Sequence, residues 1–307
     1  MKFINKLSLL LFIIFIIFIL FILIKLIISN MSRHSRFRVQ KIKPIIILLD
    51  LDKTIIGDIL PQSEEYYIIE RINNELKILD KKTIPFNLKR LRNELREHII
   101  RPNLLKFLNL VRKYNNIEIY IYTASHDKWA KTLIPNIEKA INFKFNRPIF
   151  TRNHTIIQNN IFRKSIKKIR PLIYKNIKNK YNLKNEDELK HIMLFDDTRN
   201  VLLEKKIQIH IPAYNSLYQI DYLRNIPDNI IKKFYILIED KLQLKHSTDV
   251  NGFYSKYHDF IKKRYLYVDT NNKKYNNDIY WKKVYKVFKQ NIENTSFNKL
   301  LSLLKSI

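Results

Sequence analysis

The apolar residues of this chain fall into two kinds of pattern. The first is a set of short runs that end abruptly in polar residues. Ile45-Ile-Ile-Leu-Leu49 runs into Asp50-Leu-Asp52-Lys-Thr54, Ile117-Glu-Ile-Tyr-Ile-Tyr122 into Thr123-Ala-Ser125, and His191-Ile-Met-Leu-Phe195 into Asp196-Asp197. Such runs, rich in isoleucine and closed by polar residues, predict buried strands of a parallel sheet. Parallel strands need long crossovers, and the intervals between the runs leave room for helices. One helix is predicted from about Asn103 to Tyr114 and Asn115, feeding the second strand. The second kind of pattern is helical and fills the C-terminal part. Ile230 to Leu244 has helical spacing, and Tyr280 to Ile307 places Trp281, Val284, Val287 and Phe288 on one face. Asn271 to Asn277 is polar and reads as a loop between them. The expected fold class is therefore α/β, a Rossmann-like parallel sheet flanked by helices. A helical extension over residues 241–307 is expected to pack on the sheet or meet a partner.

The N-terminus departs from both patterns. From Leu7 to Ile24 there are 18 residues without a charge, nearly all Leu, Ile and Phe. Lys25 interrupts and Leu26 to Ile28 continue. At about 1.5 Å per residue such a helix spans the roughly 30 Å hydrocarbon core, with Lys25 snorkelling to the interface. A cleaved signal peptide would be shorter and would end at small residues. Residues 1–30 thus read as a transmembrane anchor and 31–43 as a basic juxtamembrane linker. Translation from Met31, giving a soluble chain, is the alternative. Lys2, Lys6 and the amino terminus precede the span, and Arg33, Arg36, Arg38, Lys41 and Lys43 follow it. The heavier flank stays on the cytoplasmic side, so a single-pass protein is expected with the rest of the chain facing cytosol or nucleoplasm.

Composition narrows the chemistry. The chain has no cysteine, which excludes thiol nucleophiles, disulfides and cysteine zinc sites. A formal charge of +29 favours anionic ligands, with nucleic acid among them. Lys, Asn and Ile are abundant throughout and Gly occurs only twice, a bias typical of AT-rich coding, so charge alone selects no ligand.

The strand tips carry more information. An apolar strand gains no stability from two acids at its end, and ligands in parallel sheets bind beyond the carboxyl ends of the strands. Side by side, the three strands would gather Asp50, Asp52, Thr123, Asp196 and Asp197 around one mouth.

In that order these motifs resemble the haloacid dehalogenase-like superfamily of aspartate-nucleophile phosphatases. The branch they resemble most is that of the RNA polymerase II C-terminal-domain phosphatases, with their small and membrane-anchored relatives. The family's Asp-x-Asp-x-Thr is matched by Asp50-Leu-Asp52-Lys-Thr54 and its Arg-Pro-x-x-x-x-Phe-Leu by Arg101-Pro102 through Phe107-Leu108. Its Thr-Ala-Ser is matched by Thr123-Ala124-Ser125, with Trp129-Ala130 following, and its acidic pair by Asp196-Asp197. The resemblance covers roughly residues 44–225. It implies a phosphatase domain over 44–240, in which 58–100 stands out as more helical and more charged than the family's usual hairpin-rich segment.

The resemblance implies roles as well as a fold. Asp50 would be the nucleophile, with Mg²⁺ held by Asp50, the Asp52 backbone carbonyl and Asp196. Such a sparse oxygen set suits Mg²⁺, which keeps several waters. Asp52 would be general acid and then base. Thr123, the Ala124 segment and a lysine would hold the phosphoryl oxygens. For that lysine, Phe162-Arg163-Lys164-Ser-Ile-Lys167-Lys168 offers three candidates, of which Lys164 is preferred. Thr54 and Asp197 would support the site, Asp197 by orienting the lysine or a metal-bound water. The expected substrate is a phosphorylated protein. Phosphorylated nucleic-acid ends or small molecules are the alternative substrates, and an anchored binding module of the same fold is the non-catalytic alternative.

Overall fold

The computed structural model describes residues 19–25, 43–199, 201–216, 218, 222–223, 226–275 and 277–307. The chain divides into two units, Met1–Lys43 and Pro44–Ile307. Of the expected anchor, only 19–25 is described, as helix with exposed Ile19 to Ile24. The rest of the apolar stretch and the basic linker lie outside the described residues. Among the described residues, no helix is long and apolar enough to cross a membrane.

In the second unit, β1 (Ile45–Leu49), β2 (Ile117–Ile121), β5 (His191–Asp196) and β6 (Gln208–His210) form a sheet in the order β2-β1-β5-β6, and every pairing is parallel. Ile45 lies opposite both Ile117 and His191, so the three predicted strands end level with one another. Their alternate residues fill two cores. Ile45, Ile47 and Leu49 join the larger one, and Ile46 and Leu48 join the smaller one on the other face. Burial on both faces is why β1 reads as an unbroken apolar run.

The chain leaves β1 for β2 on one side and later crosses to β5 on the other. That reversal opens a crevice at the carboxyl end of β1, where ligands bind in such sheets. Between β1 and β2 lie α1 (Leu60–Ile78), α2 (Leu88–Glu94) with a π turn at Leu95–Ile99, and α3 (Leu104–Val111). The distinctive 58–100 segment is therefore helical. From β2 the chain runs through α4 (Asp127–Ile141), the hairpin β3 (Ile156–Gln158) and β4 (Ile161–Arg163), and α5 (Ile166–Tyr181). The smaller core is closed by α5, through Ile166, Ile169, Ile173 and Ile177.

Among the described residues four further α-helices follow: α6 (Asp228–Leu242), α7 (Val250–Tyr275), α8 (Tyr280–Asn291) and α9 (Phe297–Lys305). Phe253, Trp281, Val284, Phe288 and Leu300 belong to the larger core. Two local expectations are corrected. The polar stretch expected as a loop from Asn271 is helical to Tyr275, since its Lys residues are good helix formers and its Asn residues lack the breaking effect of Gly or Pro. The single pattern from Tyr280 to Ile307 is two helices, because Ser296 accepts a hydrogen bond from the Lys299 N–H and starts α9 afresh.

Candidate active site

Asp50 is the first residue beyond β1, with its N–H donated to the Phe195 carbonyl at 2.9 Å. The chain then turns sharply. Lys53 adopts φ 60°, a left-handed conformation unusual for a residue with a Cβ. This turn brings Thr54 back beneath Asp50, so that the Thr54 hydroxyl lies 3.4 Å from Asp50 Oδ2 and 3.4 Å from Asp197 Oδ1. The Asp197 N–H donates to the same hydroxyl at 3.2 Å.

Of the three candidate lysines, Lys164 is the one that lines the cavity described below. Its ammonium is buried and donates to Asp50 Oδ1 at 2.5 Å and to Asp196 Oδ2 at 2.6 Å. Its N–H donates to the Val201 carbonyl, and the helix that follows is capped by Glu204, which accepts from the Ile166 and Lys167 N–H groups. Lys167 is exposed, and the Lys168 ammonium donates to the Asn153 and Thr155 carbonyls instead. Asp196 bonds Lys164, whereas Asp197 bonds Thr54.

Asp52 is held on the other side by Ser125, whose hydroxyl donates to Asp52 Oδ2 at 2.5 Å. Thr123 is buried at the end of β2, and its hydroxyl oxygen accepts the Ser125 N–H at 3.0 Å. Together Asp50, Asp52, Thr123, Ala124, Lys164, Asp196 and Asp197 line a cavity of about 350 Å³. Lys53, Ser125, Arg152, Thr198 and Val201 complete its wall. Ser125 was visible in the Thr-Ala-Ser string. Arg152 had no local signal: it is placed by its own bond to the Ala124 carbonyl at 2.8 Å and by the Phe162 ring 4.7 Å away.

The electrostatics are those of an acidic floor short of positive charge. Burial, with Asp196 and Asp52 adding to it, raises Asp50 well above the usual carboxylate range, although Lys164 pulls the other way. Burial likewise raises Asp52, against the Ser125 hydrogen bond, and raises Asp197, beside Asp196. Burial alone would depress Lys164, but its ion pairs with Asp50 and Asp196 outweigh that and raise it. Carboxylate oxygens of Asp50, Asp196 and Asp197 all lie within 4.8 Å of one another. Three oxygen donors facing one lysine fit a hard divalent cation such as Mg²⁺. The side chain of Asp52 is outside this group, engaged with Ser125.

A parallel sheet with a switch point at β1, two aspartates one residue apart at its tip and an acidic pair at the end of β5 define a haloacid dehalogenase-like phosphatase. The model of the NLI interacting factor-like phosphatases matches residues 45–251, more than half of the chain. The chain belongs to that family, the C-terminal-domain phosphatase branch of the superfamily. No curated protein matches it. Among solved structures it is similar to Fcp1, an essential RNA polymerase II CTD phosphatase, at 14% identity over 88% of this chain and 72% of that one, TM-score 0.37. The fission yeast Fcp1 bound to beryllium fluoride gives 13% identity, the same coverages and TM-score 0.36. A phospho-aspartyl intermediate analogue of phosphoserine phosphatase gives 12% identity over 50% of this chain and 78% of that one, TM-score 0.25.

Proposed function

We propose that this chain is a membrane-anchored, Mg²⁺-dependent phosphomonoesterase that works through an aspartyl-phosphate, with Asp50 as nucleophile. The observation that carries the reading is the pairing of Lys164 with Asp50 and Asp196 on the cavity floor, with Asp52 held opposite by Ser125. A phosphoryl group entering the cavity is bound by the Lys164 ammonium, the Thr123 hydroxyl and the backbone of Ala124. An Asp50 carboxylate oxygen forms a bond to phosphorus as the bond to the leaving oxygen breaks. Asp52 gives its proton to that oxygen, and its raised pKa suits a group that must arrive protonated. Asp52 then takes a proton from water as the water oxygen bonds to phosphorus, which releases Asp50 and inorganic phosphate. Bound Mg²⁺, held by Asp50 and Asp196 with the Asp52 carbonyl, would screen the negative charge between carboxylate and phosphoryl group.

Phosphoserine or phosphothreonine in a protein is the proposed substrate, on the strength of the family to which the chain belongs. The charge of +29 favours phosphorylated nucleic-acid ends as the competing substrate. The anchor rests on the apolar run from Leu7 and on the basic flank, and sets the catalytic unit towards cytosol or nucleoplasm.

The test is hydrolysis of an aryl phosphate by the detergent-solubilised full chain, with and without Mg²⁺, beside Asp50→Asn. Metal-dependent turnover lost in the variant is expected. Equal rates in the two proteins would reject the mechanism. Phosphopeptides and 5′-phosphorylated oligonucleotides, compared next, decide the substrate class.

A further inference from the structure

The turn that carries Asp50, Asp52 and Thr54 is held from behind by residues far away in sequence. The Lys53 carbonyl accepts the Tyr214 N–H at 2.7 Å and lies 3.5 Å from Arg101 Nη1. The Thr54 carbonyl accepts the Trp281 indole N–H at 3.2 Å and lies 3.4 Å from the same Arg101 nitrogen. The Ile55 carbonyl accepts the Arg101 N–H at 3.0 Å. Three successive carbonyls of the loop are therefore satisfied by Arg101, Tyr214 and Trp281.

Arg101 is itself fixed. Its side chain is fully buried and bonds Asp278 through two nitrogens, Nε to Oδ1 at 3.1 Å and Nη2 to Oδ2 at 2.8 Å. The rings of Tyr214 and Tyr280 lie 5.4 and 5.1 Å from its guanidinium carbon. Trp281 is fully buried, stacked on Phe107 with centroids 5.0 Å apart, and 5.3 Å from Phe195, the residue before Asp196. Asp278 also accepts the Tyr280 N–H, which binds the carboxylate to the start of α8. Asp278, Tyr280 and Trp281 all lie beyond the stretch that matches the family model.

We propose that Asp278 and Trp281 are positioning residues for the catalytic loop, acting through Arg101 and directly on the Thr54 carbonyl. The loop needs such support. A left-handed conformation at a residue like Lys53 is strained and persists only where its surroundings over-determine it. Without the Asp278 carboxylate, Arg101 is a buried cation with no counter-charge within bonding distance among the described residues, and its hold on the two carbonyls loosens. The loop then relaxes, and Asp50 and Asp52 move relative to Thr123 and Lys164. A displacement of about 1 Å at the reacting groups is enough to lower a rate on the order of 100-fold.

The activity arm of the test rests on the phosphatase reading, so a second readout is independent of turnover. Full-length wild type, Asp278→Asn and Trp281→Phe are compared for kcat and KM on an aryl phosphate, and for hydrogen exchange in peptides covering residues 50–58. The first substitution removes one of the two carboxylate oxygens that Arg101 needs. The second keeps a ring to stack on Phe107 but deletes the indole N–H. The expected result is kcat lowered about 10- to 100-fold in Asp278→Asn and several-fold in Trp281→Phe, with KM within about twofold. Exchange in 50–58 speeds up while exchange in β5 and α5 stays at the wild-type rate. Unchanged loop exchange in both variants overturns the proposal. So does faster loop exchange with wild-type kcat, which would mean a structural contact only, and so does exchange raised uniformly over the protein. If Asp278→Asn does not fold, Trp281→Phe alone decides. A wild type without turnover would sink the phosphatase reading, and the exchange of 50–58 would then decide whether the loop is held from α8.

Discussion

Glu94 should make this protein less stable in mildly alkaline than in mildly acidic solution, and Glu94→Gln should remove most of the difference. Glu94 ends α2 in the helical segment between β1 and α3, with only 3% of its surface exposed. The Tyr222 hydroxyl donates to its Oε2 at 2.9 Å, and Arg90 Nε is 3.6 Å from its Oε1. Among the described residues neither Glu94 Oε1 nor the neighbouring Gln62 Oε1 finds a hydrogen-bond donor. A proton on Glu94 would relieve that shortage. Burial raises its pKa to about 7 from 4.5, against the opposing pull of Tyr222, Arg90 and Gln62. Between those two values the folded protein binds a proton that the unfolded chain has lost. Stability therefore falls as pH rises from 4.5 and the loss is complete above 7. A shift of that size corresponds to about 3 kcal/mol at 1.36 kcal/mol per unit. For a domain of this size it is equivalent to roughly 6–10 °C in Tm. Other raised carboxyls, such as Asp52, push the same way, so the informative quantity is a double difference. Thermal unfolding is followed by circular dichroism for wild type and Glu94→Gln at about pH 5 and about pH 8. The variant should gain on wild type by several degrees at the higher pH and little at the lower. An equal shift at both values would show that Glu94 is ionised throughout, and would refute the reasoning.

Three outcomes follow for the site itself. Asp52→Asn should lower kcat roughly 100- to 10,000-fold while leaving the fold intact, most steeply for substrates with poor leaving groups, as measured across a series of aryl phosphates. Lys164→Met should lower turnover at least about 100-fold and, by leaving Asp50 and Asp196 facing each other without a counter-charge, destabilise the protein by roughly 3 kcal/mol in a denaturant titration. Arg152→Ala, which removes a cation from the cavity wall and not from its floor, should raise KM several-fold with kcat nearly unchanged. An equal fall in kcat would place Arg152 in the transition state instead.

The sheet and most of its catalytic rim were legible because each element has a local cause. β1, β2 and β5 are apolar runs closed by polar residues, and their order alone brings Asp50, Thr123 and Asp196 together. β6 escaped because Gln208–His210 is too short to show a period. The hairpin escaped too, although Asn159 and Asn160 at its tip, both at positive φ, are the residue type that such turns favour. Lys164 could not be told from Lys167 and Lys168 by type. What separates them is that α5 begins at Ile166, so Lys164 leaves an extended strand towards the floor while the others lie on a helix. The Arg101–Asp278 pair spans 177 residues, and no window along the chain could reveal it.

The opposite signs of surface and site are the physical centre of this protein. A chain of formal charge +29 attracts anions, but at ordinary ionic strength that field fades within about 8 Å. It therefore acts on arrival and not on chemistry. On the cavity floor the balance reverses, with Asp50, Asp52, Asp196 and Asp197 set against the buried Lys164 ammonium, while Lys53 and Arg152 stand in the wall. Two like charges about 4 Å apart repel by roughly 4 kcal/mol at the effective dielectric of such a site, so a phosphate monoester is disfavoured at the place where it must react. Burial first, and the neighbouring acids after it, raise the pKa values of Asp50, Asp52 and Asp197. Lys164 offsets part of the negative charge and is spread over two carboxylates. The remainder is what a divalent cation among Asp50, Asp196 and Asp197 would supply, and it explains why an acidic floor and a basic exterior are compatible in one phosphatase.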